Sequence, residues 1–118
     1  MIARLMGLRT ISPGDLIEQI QNHAVTTIDV NQRRSWVTSR VPGARHVDPV
    51  GYTEQDLPAD RNAALVFYCS NFLCRKAPNA ARRAKQMGFT NVRVMSAGIQ
   101  GWLEAGLPVE SGEPAHVS

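Results

Sequence analysis

No run of about eighteen apolar residues occurs in this 118-residue chain, although 43% of it is hydrophobic, so a membrane-spanning helix and a membrane partner are excluded. The opening stretch "MIARLMGLRT" is basic but lacks the apolar centre and small-residue cleavage site of a secretory signal, which predicts a soluble, unexported protein. Cysteine is scarce. Two residues cannot build a disulfide scaffold, and reduced thiols are predicted in a cytoplasmic setting. Charge is nearly balanced, since a net +3 is too small and scattered to argue for a nucleic-acid partner, though a mild excess suits a small anionic substrate. Repeats and long linkers are also missing, which predicts one domain over residues 1–118, with "ESGEPAHVS" forming a loose polar tail over about 111–118.

What the chain does contain alternates in period. In "SPGDLIEQIQ", Ser12 is placed to cap a helix with Pro13 in its first turn, and Leu16, Ile17 and Ile20 share a face. "VTTIDV" (25–30) is β-branched and reads as a strand, and "VPGARHVD" turns at Pro42 and Gly43 before a second short one. "ALVFY" (64–68) and "NVRVM" (91–95) are further strand candidates. Between these last two, Ala77, Ala80, Ala81 and Ala84 recur at helical spacing over 77–87, a small-residue face able to lie close on a sheet. A last helix is predicted over "GIQGWLEA", with Trp102 filling core beneath it. Strand and helix in alternation predict an α/β fold, a mostly parallel sheet with helices on both faces and ligands at the carboxyl ends of the strands.

Cys69 stands at such an end. Loop amides and the start of the following helix face a thiol there, and Arg75, Lys76, Arg82 and Arg83 follow in sequence, so its pKa is predicted to fall toward thiolate. An ordinary buried cysteine closing a strand satisfies the same spacing.

The order of landmarks resembles the rhodanese-like (sulfurtransferase) family over nearly the whole chain. The resemblance rests on "TIDVNQRRSWVTSRVPGARHVD", with Asp29 and the Pro42-Gly43-Ala44 turn in register, on "VFYCSNFLCRKAPNAARRAKQMGFTNV", and on "SAGIQGWLEAGLPVE". It implies a rhodanese-like fold and a cysteine that carries sulfane sulfur as a persulfide, with no cofactor. The chain departs from the pattern at Asn31 and Ser35, where arginine and glutamate are usual, and at Ser39 and Arg40, in place of Gly-His. These changes bear on ion pairing and touch no nucleophile. Cys69 to Gly88 is two residues longer than usual, predicting an eight-residue active-site loop, Cys69 to Lys76, that includes a second thiol, Cys74.

Three functions fit that loop. In sulfur transfer, Cys69 attacks a small sulfur-containing anion, thiosulfate or a persulfide donor. The loop amides and side chains of Ser70, Asn71, Phe72, Leu73, Arg75 and Lys76 hold the anion, and a thiol or protein acceptor takes the sulfur. Cys74 would then resolve the persulfide or merely fill the loop. Alternatively, Cys69 to Arg75 fits the Cys-x5-Arg cradle of phosphatases and arsenate reductases, against which Phe72 and Leu73 are bulky and no general acid is evident. The third is a non-catalytic sulfur carrier, with Phe72, Leu73 and Trp36 as a docking rim. Asp29 reads as support for loop amides or basic residues near Cys69. A metal site is not predicted, since His23, His46 and His116 lie at no recognisable ligand spacing from the cysteines.

Overall fold

The computed structural model describes residues 2–114. Five strands, β1 (Arg9–Thr10), β2 (Thr26–Asp29), β3 (Arg45–His46), β4 (Leu65–Tyr68) and β5 (Val92–Val94), form one sheet in the order β1-β5-β4-β2-β3. Every pairing is parallel, as the alternation of strand and helix demands. Helices α1 (Ile2–Leu5), α2 (Pro13–Gln21), α3 (Arg33–Thr38), α4 (Lys76–Gln86) and α5 (Gly98–Glu104) connect and cover it.

Helix α2 begins where the sequence places it: the Ser12 hydroxyl accepts the Asp15 amide at 3.1 Å and Pro13 occupies the first turn. It ends at His23, which takes a left-handed φ of 53° while its amide and that of Ala24 close onto Ile20 and Gln19. Helix α4 presents its predicted small face, with Ala77, Ala80, Ala81 and Ala84 all buried. The departures lie in elements too short or too polar to carry a period. Strand β1 exists only as partner to β5, and α3 buries one residue, Trp36.

The alternation of side chains along β4 sets which side of the sheet each neighbouring residue occupies. Leu65 and Phe67 face α4, together with Ile28 and Val30, whereas Val66 and Tyr68 face Leu16 of α2 and Trp102 of α5. Full burial of a side chain such as Phe67 stabilises by about 1.5–3 kcal/mol. Residue 69 continues the same two-residue period, so Cys69 falls on the α4 side. Asp29 lies on the other side with Tyr68, whose hydroxyl it accepts.

Residues 110–113 touch the rest of the fold at a few points. Glu110 pairs with Arg40 through both backbone amides, the Gly112 amide reaches Val37 O, and Arg33 meets Glu113 at 2.5 Å. The reason is Arg40: its guanidinium stacks 4.1 Å over Trp36 and donates to Trp36 O and Gly112 O. Residues 115–118, including His116, lie outside the described residues.

Candidate active site

Cys69 follows the last residue of β4 and is 3% exposed. The loop it opens runs to Arg75, because Lys76 is already helical, one residue sooner than the sequence suggests. The Asn71 side chain accepts the Leu73 amide at 2.9 Å and its carbonyl accepts the Cys74 amide at 3.1 Å. That turn brings Cys74 back beside Cys69. Both thiols, with Asn71, Phe72, Ala77, Pro78 and Ser96, line one cavity of about 10 Å³, room for roughly one water-sized atom.

The loop contributes an amide field: the amides of Ala77 and Ser70 favour ionisation of Cys69, and those of Lys76 and Ser70, with the Ser70 hydroxyl, favour ionisation of Cys74. Its effect on Cys69 is the reverse of the sequence expectation. Burial, followed by the hydrogen bond to Cys74, pushes the Cys69 thiol up to about 12, outweighing the two amides. Partial burial also opposes ionisation of Cys74, but the hydrogen bond from Cys69 and the contacts from Lys76 and Ser70 prevail and hold that thiol below its ordinary value. Of two adjacent thiols the less buried one ionises first.

Basic side chains contribute less than their sequence positions imply. Arg83 is engaged elsewhere, donating to Val50 O and lying 5.3 Å over the Tyr52 ring. Arg75 and Lys76 are exposed at the start of α4, and Lys76 borders a neighbouring cleft of about 360 Å³ lined by Asn31, Arg33, His46 and Asp48. Phe72 and Leu73 are 60% and 70% exposed, so they point outward and do not crowd the loop interior. Trp36 does not join them as a rim: it is buried at 7% and donates to Ala44 O at 2.9 Å. Among the described residues, no group of three or more His, Cys, Asp or Glu is arranged to hold a metal.

Asp29 does not reach the loop, since the strand period turns it away from Cys69. It is fully buried, accepting the Tyr68 hydroxyl at 2.7 Å and the Asn31 amide at 2.8 Å. Burial raises its carboxyl above the ordinary value against the pull of these donors and His46. Tyr68 in turn accepts the Val41 amide at 3.1 Å, tying the end of β4 to the Pro42 turn. Asp29 therefore bonds at the ends of β2 and β4, and not to the loop after Cys69.

Further supports of the loop went unread in the sequence. At the start of α5, the Ile99 amide donates to Cys69 O at 2.9 Å and the Gln100 amide to Ser70 O at 3.0 Å. Gly98 permits this approach: a Cβ there would stand 2.5 Å from the Ser70 carbonyl carbon. "SAGIQGW" carries no local signal of that contact, which exists only once β5 lies beside β4.

The arrangement offers a nucleophilic dithiol at the carboxyl end of a central parallel strand, cradled by amides. The family model of the rhodanese-like domain matches residues 12–105. A thiosulfate sulfurtransferase, GlpE, of Actinobacillus succinogenes is 29% identical over 106 residues, spanning 90% of this chain and 94% of that protein. An HTH-type transcriptional regulator of Mycobacterium tuberculosis is 30% identical over 88% of this chain, which spans about half of that relative, 46%. A solved Bacillus halodurans protein superposes with a TM-score of 0.80 at 22% identity, covering 87% of this chain and 77% of its own. With the family model matched from the cap of α2 through the end of α5 and the parallel sheet shared with solved relatives, the chain belongs to the rhodanese-like domain family.

Proposed function

We propose that this chain is a sulfurtransferase that carries sulfane sulfur on Cys69 from thiosulfate or a persulfide donor to a thiol or protein acceptor in the cytoplasm. Cys69 gives up its proton to solvent and reacts as the thiolate. The Cys69 sulfur then attacks the outer sulfur of thiosulfate, the donor S–S bond breaks, and sulfite leaves with the bonding pair. Amides of Ser70 and Ala77 hold the persulfide charge, as loop donors do for a developing anion. An acceptor nucleophile attacks the outer sulfur and returns Cys69 as thiolate. Arg75 and Lys76, exposed beside the site, attract the anionic donor.

The observation that carries this reading is the cavity of about 10 Å³ at the buried Cys69. It suits the single added atom of a persulfide. A Cys-x5-Arg phosphatase must instead turn its arginine inward to clamp the oxyanion, and here Arg75 is exposed. Intact mass before and after thiosulfate, then after cyanide, tests the proposal: the chain should gain one sulfur that cyanide removes, and Cys69→Ser should gain none. Sulfur loading that survives in Cys69→Ser would place the carrier elsewhere.

A further inference from the structure

Cys74 is more than a neighbour. The turn at Asn71 returns it to the cavity that holds Cys69, and both thiols line that cavity. Cys69 is 3% exposed, so an external thiol reaches its sulfur poorly, whereas Cys74 already stands inside. The Ser96 hydroxyl, buried and without a hydrogen-bond partner among the described residues, belongs to a residue lining the same cavity. It supplies a polar contact for a small anion formed there.

Resting on the sulfurtransferase reading, we propose that Cys74 discharges the loaded site from within, making the chain a hydrosulfide-releasing dithiol enzyme whose second substrate is an external dithiol reductant. After loading, Cys69 carries the persulfide anion and Cys74 its own proton. That proton moves to the outer persulfide sulfur, and the Cys74 thiolate attacks the inner one, Cys69 Sγ. The Sγ–S bond breaks, the outer sulfur departs as hydrosulfide with the bonding pair, and a Cys69–Cys74 disulfide remains. The sulfane sulfur is reduced and the two cysteine sulfurs are oxidised. A dithiol reductant then restores both thiols, itself becoming a disulfide. From thiosulfate, the cycle therefore yields sulfite and hydrosulfide.

The test uses the full chain, reduced, freed of reductant and given thiosulfate, with hydrosulfide trapped by monobromobimane and the protein followed by intact mass and peptide mapping. Wild type should release about one hydrosulfide per chain and end as the Cys69–Cys74 disulfide, and dithiothreitol should make release continuous. Cys74→Ser, and Cys74→Ala as a second variant, should retain the added sulfur and release almost none until an external thiol is supplied. Wild type that accumulates a stable persulfide, with neither hydrosulfide nor disulfide, overturns the discharge step while leaving sulfur transfer intact. Failure of wild type and both Cys74 variants to take up sulfur overturns the two proposals together.

Discussion

Gly98 lies against the backbone of the loop after Cys69, and Gly98→Ala tests whether that contact holds Cys69 in place. The residue has a φ of +66°, and an added Cβ would stand 2.5 Å from Ser70 C and 2.6 Å from both Ser70 O and Asn71 N. Left-handed strain costs a side-chain-bearing residue about 1–2 kcal/mol. Overpacking against backbone, which has no rotamer to change, adds about 1–3 kcal/mol. The variant should therefore lose roughly 2–5 kcal/mol in urea unfolding, a large share of the 5–15 kcal/mol typical of a domain. Relief of the clash pushes residues 70 and 71 outward and strips the Ile99 and Gln100 amides from the Cys69 and Ser70 carbonyls. Sulfur loading measured on folded protein should fall as well. Gly106→Ala is the control, because its φ is +71° but nothing lies within 4 Å of the added Cβ. It should show the strain alone, about 1–2 kcal/mol, with loading unchanged. Equal destabilisation of the two variants, or unchanged loading in Gly98→Ala, would refute the packing argument.

Alkylation by iodoacetamide across a pH series, mapped by peptide, should modify Cys74 at lower pH than Cys69, whose ionisation waits for about 12. A shared midpoint would show that burial does not separate the two thiols. Tyr68→Phe removes the donor to Asp29 and the acceptor of the Val41 amide, leaving two buried polar groups unpaired, and should cost about 2–4 kcal/mol in urea unfolding. Because burial raises the Asp29 carboxyl above its ordinary 3.8, the folded state favours the protonated form. The stability this contributes is complete below 3.8 and is lost as pH rises through the raised value. Wild type should thus lose stability relative to Asp29→Asn over that acidic window and run parallel to it above. His23→Gly, at an exposed position with φ of 53°, should raise the melting temperature, gaining about 1 kcal/mol by relief of left-handed strain.

A local period, or the covalent geometry of a single residue, was enough to specify much of this molecule in advance. The continuous apolar run at 65–68 announces a strand covered on both faces, the paired valines at 92 and 94 announce another strand, and the alanine spacing from Ala77 to Ala84 announces a helix lying close against the sheet. Ser12 and Pro13 set the start of α2, and the end of the apolar run sets Cys69 at the carboxyl end of β4. Other features depend on which segments lie side by side, and these the assembled fold alone supplies. β1 is two residues, Arg9 and Thr10, and is a strand only because β5 supplies its ladder. Trp36 reads as exposed among arginines, yet Arg40 covers it and ties down residues 110–112. Asp29 is kept from the loop by strand alternation, and Gly98 matters because α5 begins against Ser70. Above all, the amides at Cys69 were legible as a consequence of its place in a strand-to-helix turn, while its 3% exposure was not. Ionisation is set by the balance of amide donors against lost solvent, and solvent is excluded by α4, β5 and the Asn71 turn together. Only their assembly raises the Cys69 thiol and lowers that of Cys74 beside it.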